Sequence, residues 1–138
     1  MLFRSILSEG RTSRLYTRLV KEQQLAVSVS TAVGEPGDRF PNLFVVSAVP
    51  RAPHTTAEVE VSIYAELERL KTERVGPKEL RKVLTQLDAA MIRALQSNSG
   101  LASLLGYYQA VAGDWWYLLA LRDRIAKVTA KEIGRAHV

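Results

Sequence analysis

The chain has 138 residues, no cysteine and two histidines, and its 19 Lys and Arg against 14 Asp and Glu leave a formal charge of +5. Without cysteine there is no thiol nucleophile, no disulfide framework and no cysteine-ligated zinc. A single domain of this length buries enough surface to fold without a metal or disulfide staple. No apolar run approaches the roughly 18 residues that cross a bilayer, and the short patch of MLFRSILSEG, broken by Arg4, is not expected to be a signal peptide.

Met1 to Leu7 has the pattern of a helix tail that ends near Gly10. A chain that opens inside an apolar helix points to a trimmed or incomplete domain. A second, basic amphipathic helix is predicted over Thr12 to Gln23. Leu15 and Leu19 recur there at helical spacing, and Arg11, Arg14 and Arg18 fall on another face. It runs with almost no loop into a strand over Leu25 to Val33, in which Leu25, Val27, Val29 and Thr31 alternate with Ala26, Ser28, Ser30 and Ala32. Gly34-Glu35-Pro36-Gly37-Asp38 is a turn by its chemistry. A second strand over Asn42 to Val49 has two apolar faces, which predicts a covered, central strand pairing antiparallel with the first.

Pro50 and Pro53 end that strand, and Thr55 with Glu58 forms a capping box that opens a helix carrying Val59, Ile63, Leu67 and Leu70. Gly76-Pro77 starts the next helix, whose stripe is Leu80, Val83, Leu84, Leu87, Met91 and Leu95. Asn98-Ser99-Gly100 breaks it. The following helix carries Leu101, Leu104, Leu105, Tyr108 and Val111 and stops at Gly113-Asp114. Trp115 to Ala126 is predicted helical, with Trp116 packed on Leu119 in the core. A second capping box, Thr129 and Glu132, opens a last helix to Val138. The order is helix, helix, strand, strand, then helices. Two strands make a poor sheet alone, so further strands are expected from elsewhere in the parent chain or from another subunit.

Ser13-Arg14-Leu15-Tyr16, Leu19-Val20-Lys21-Glu22 and Leu25-Ala26 resemble the pattern of the pitrilysin–insulinase family of zinc peptidases, which includes the processing peptidases of mitochondria. Gly76-Pro77-Lys78-Glu79-Leu80, Leu105-Gly106-Tyr107-Tyr108, Gly113-Asp114 and Val128-Thr129-Ala130-Lys131-Glu132-Ile133 follow in the family's order. The match is to the downstream, non-zinc domain. It implies an α+β fold, a two-layer sandwich of an antiparallel sheet packed on helices. Residues 1–138 then form a single, incomplete C-terminal-type domain with only two strands evident.

The family's zinc site needs His-x-x-Glu-His on a helix. His54 and His137 sit in no such motif, in either order. The expectation is therefore no catalytic residue and no metal ligand in this chain, with zinc in an upstream domain of the parent protein. The resemblance also implies an arginine and a tyrosine seven residues apart that hold the substrate backbone and stabilise the oxyanion. Those positions fall on Val20 and Val27, which can do neither. The pair would then come from a partner subunit.

The reading is a non-catalytic domain of a zinc metalloendopeptidase, inactive by itself, that forms half of the substrate chamber and docks the zinc-bearing domain. Its implied partners are that domain or a partner subunit in a homo- or hetero-dimer, and a peptide substrate. Arg14 and Arg18 are the substrate-binding candidates, weighed against a solvated helix face paired to Glu9 or Glu22. Trp115, Trp116 and Tyr117 are a candidate partner surface. The same resemblance admits an inactive scaffold homologue. The basic excess admits a nucleic-acid-binding α+β domain, although acids interleave the bases through Glu66, Glu68, Arg69, Lys71, Glu73 and Arg74. The bacterial periplasm or cytoplasm suits the composition.

Overall fold

A computed structural model describes residues 2–135. Along the chain run α1 (Leu2–Ser8), a π-helix (Tyr16–Glu22), β1 (Ala26–Glu35), β2 (Leu43–Pro50), α2 (Thr56–Thr72), α3 (Pro77–Leu95), α4 (Asn98–Ala112), α5 (Tyr117–Ala126) and α6 (Ala130–Arg135). The fold is α+β, a partial domain in which one antiparallel pair of strands packs on helices.

The helix starts follow local chemistry. The Thr55 hydroxyl accepts from the Glu58 N–H at 3.3 Å, and the Glu58 carboxylate accepts from the Thr55 N–H at 2.6 Å. Two of the donors that a helix N-terminus leaves orphaned are thereby satisfied. Thr129 and Glu132 repeat the arrangement before α6. Ser97 caps α4 through the Gly100 N–H at 3.0 Å, and Gly113 closes the same helix at φ +74°, where glycine pays no Cβ penalty.

The core joins α1, the π-helix, β1 and α2 through Ile6, Leu7, Leu15, Leu19, Ala26, Val29, Val59 and Leu70, with Val83 of α3 and Ile133 of α6. Only the first half of the α3 stripe meets it, through Leu80, Val83 and Leu87, while Leu95 lies exposed. Tyr108 and Leu118 are buried away from that cluster, between α4 and α5.

Three expectations are corrected. The strand alternation fails because the pairing register slips between Ala26 and Ser28. This β-bulge turns both Val27 and Ser28 outward and buries Ala26 and Val29. Among the described residues β2 pairs with β1 alone, and one of its faces is covered, with Val46 and Ala48 packed on the core, while Leu43 is 65% and Val49 55% exposed. Trp115 and Trp116 precede α5 and are exposed; Trp116 and Leu119 each stand 57% in solvent and pack into no core. Finally, the helix predicted over Thr12 to Gln23 is α-helical only at Arg14 and Leu15 before widening to the π form.

Candidate interaction site at the π-helix to strand junction

Three backbone irregularities follow one another where the π-helix meets β1. The Gln23 N–H donates to the Arg18 carbonyl five residues back at 2.9 Å, the bond that defines the wider turn. Gln24 then adopts φ +54°, and the bulge at Val27 follows. Single π turns and left-handed non-glycine residues cost energy and recur at functional sites.

Val20, on the π-helix, is half-buried against the core, and Val27 is 57% exposed. Neither can donate a hydrogen bond. The two positions that the resemblance ties to substrate polarisation are thus an apolar contact and an apolar surface residue.

The two arginine candidates line one polar cleft of about 310 Å³, together with Thr12, Glu22, Arg69 and Glu73. Arg14 is engaged as a fork: Nε donates to Glu79 Oε1 and Nη2 to Glu79 Oε2, both at 2.9 Å. The Glu79 hydrogen bond raises the Arg14 pKa above its ordinary value, against a smaller opposing effect of burial. Arg18 Nη1 donates to Glu22 Oε2 at 3.2 Å, both side chains well exposed. Across the cleft, Arg69 bonds the buried Glu66 at 2.9 Å and Glu73 at 2.8 Å. Glu73 lies below its ordinary pKa because Arg69 donates to it. The cleft therefore alternates charges, and each of its three arginines is paired with a carboxylate.

Sequence reasoning missed Glu66 and Glu79 as partners. A glutamate in the first turn of α3 satisfies the helix dipole, so nothing local marked Glu79 as the mate of a residue 65 positions earlier.

The described residues do not fit a zinc site. Among the described residues no group of three or more His, Asp and Glu side chains could hold a metal. His54 Nδ1 lies 3.6 Å from Glu58 Oε1, and the other Glu58 oxygen serves the α2 cap. His137 lies outside the described residues. No helix among them is long and apolar enough to cross a membrane. The remaining surface holds a stacked Trp115–Trp116 pair, ring centroids 4.3 Å apart.

The profile of the peptidase M16 inactive domain matches residues 1–87, more than half of the chain. No curated protein matches the chain. Among solved structures, the inactive peptidase domain of a candidate zinc protease from Bordetella parapertussis is 24% identical, with a TM-score of 0.85 over 98% of this chain and 72% of that one. A protease from Helicobacter pylori is also 24% identical, with a TM-score of 0.86 over 97% of this chain and 32% of that one. The peptidase M16 inactive domain from Pseudomonas fluorescens is 19% identical, at a TM-score of 0.74 over 98% of this chain and 32% of that one.

Proposed function

The chain belongs to the peptidase M16 inactive-domain family, and from that membership we propose that it forms one half of a substrate chamber and docks a zinc-bearing peptidase domain. It is a non-catalytic domain of the kind found in zinc proteases. Its contribution to proteolysis would be enclosure and alignment of a peptide, with zinc, its ligands and the general base on the partner.

One observation carries the reading. The junction has an irregular backbone at Gln24 and Val27 and carries valine at both positions that the resemblance ties to substrate polarisation, so the site has a shaped backbone but no donor or charge at those two positions. The polarising pair would then be supplied by a partner, in a homo- or hetero-dimer. Arg18 is the substrate-facing candidate of the two, because it is open to solvent and, among the described residues, is tied by an ion pair to Glu22 alone. Arg14 holds its position through Glu79 and would act by fixing the cleft wall.

The same valines support a second reading, an inactive scaffold homologue that assembles without serving catalysis. Co-expression with a His-x-x-Glu-His-bearing domain of the same family and organism separates the two. Co-elution with gain of peptide cleavage supports the chamber, co-elution without cleavage supports the scaffold, and separate elution contradicts both.

A further inference from the structure

The β1–β2 turn is held in an unusual way. At the base of the hairpin, the Arg51 N–H donates to the Leu25 carbonyl at 2.8 Å. Midway, Thr31 meets the Ser8 hydroxyl of α1, and the Phe44 ring lies 5.2 Å from Phe3. Beyond that the turn reaches α4 by one side-chain hydrogen bond. The Tyr107 O–H donates to Asp38 Oδ2 at 2.7 Å, the single such tie of residues 36–42 to the helices among the described residues. No apolar anchor replaces it, since Phe40 in the same turn is 71% exposed.

Both ends of this tie are prepared. Gly34 sits at φ +92°, and a Cβ there would overlap the Asp38 carboxylate, so the carboxylate folds over a position that only glycine leaves open. Tyr107 packs edge-on against Tyr108 at 5.1 Å, and Tyr108 lies 5.6 Å from Tyr117. These rings, with Leu2, Val111 and Leu121, line a cleft of about 600 Å³ whose rim carries Tyr107.

We propose that the turn is a latched strap: Asp38, seated over Gly34, fastens the strand layer to α4 at the rim of the tyrosine-lined cleft and releases it when that one hydrogen bond opens. A single exposed hydrogen bond is weak enough to open reversibly. The hairpin remains fixed below by its base and its contacts with α1, so release moves the turn and leaves the core in place. The charged acceptor also holds the Tyr107 hydroxyl protonated, with its pKa pushed up to about 12.

Trypsin cleavage at the Arg39–Phe40 bond of the folded chain tests this, because cleavage tracks the open population when reclosing is fast. Tyr107→Phe is expected to speed that cut about five-fold, the factor that one ordinary hydrogen bond carries, with the other tryptic sites unchanged. Asp38→Ala, which removes the acceptor altogether, should do the same and return one tyrosine from about pH 12 toward ordinary ionisation in an ultraviolet titration. Gly34→Ala should also speed the cut by displacing Asp38. An unchanged rate at Arg39 in the tyrosine and aspartate variants overturns the strap. So does a uniform rise at all sites, which would make Tyr107 a core residue.

Discussion

Arg14 and Glu79 join the segment leading into the π-helix to the first turn of α3 through two parallel 2.9 Å hydrogen bonds. The pair is largely shielded, with side-chain exposures of 15% and 27%. A two-point guanidinium–carboxylate fork fixes orientation as well as distance. It sets the spacing between the chain that carries the candidate cleft and the helix that begins the second half of the domain.

Breaking the fork from one side leaves the other charge partly buried and unpaired. Glu79→Ala is expected to destabilise the chain by about 1–3 kcal/mol, read as a lower urea midpoint at unchanged slope. Arg14→Lys keeps the charge but loses the fork, and should recover only part of that stability. A midpoint unchanged in Glu79→Ala would mean that the pair is a surface ornament.

The core assignment predicts a sharp contrast between two leucines. Leu19 is fully buried on the π-helix, which packs against β1 and α2, so Leu19→Ala should cost about 2–5 kcal/mol. Leu119 stands in solvent beside Trp116, so Leu119→Ala should fall within about 0.5 kcal/mol of the parent. Equal losses at the two sites would restore the packed Trp116–Leu119 pair that the sequence suggests.

Acid should loosen the start of α2 first. The Glu58 carboxyl lies below its ordinary value near 4.5, chiefly because the Thr55 N–H donates to it and then because the Thr55 hydroxyl does. A depressed carboxyl pKa stabilises the fold above the ordinary value and loses that contribution as pH falls through the lowered one. Protection factors of amides in the first turn of α2, corrected for the intrinsic pH dependence of exchange, should therefore fall below about pH 4.5, and Thr55→Ala should lower them already at neutral pH. Protection that stays constant from neutral pH to 3 would contradict the capping box as the source. Tyr107 works in the opposite sense. Its raised pKa supports the fold fully below the ordinary 10.0 and loses that support as pH climbs through about 12.

At the junction, Val27→Tyr should be tolerated within about 0.5 kcal/mol, because the bulge already points that side chain outward. Val20→Arg should cost more, since Val20 packs on the core. Circular-dichroism melts of the two variants check the order. The reverse order would place Val27, and not Val20, against the interior.

Locally written features were legible in the sequence. Both capping boxes, Pro77 at the first turn of α3, the glycine stop at Gly113 and the two-strand hairpin stand where residue chemistry puts them. The family pattern was legible for the same reason, as an ordered set of short local signals. The rest depends on partners distant in the chain. A β-bulge is set by how two strands register, so alternation alone sent Val27 to the wrong face. The Arg14–Glu79 fork spans 65 residues and leaves no local trace. Helix α5 begins at Tyr117, two residues after the predicted start at Trp115, and the exposure of Trp116 depends on which elements lie beside that turn, which no local pattern encodes.

The central claim is that this chain is the non-catalytic partner of a zinc peptidase. Its most direct test is the purified chain, dialysed against zinc, assayed for bound metal and for cleavage of an unstructured fluorogenic peptide with and without EDTA. We predict no stoichiometric zinc and no EDTA-sensitive turnover. Contaminant-free, EDTA-sensitive cleavage that scales with the amount of chain would contradict the account.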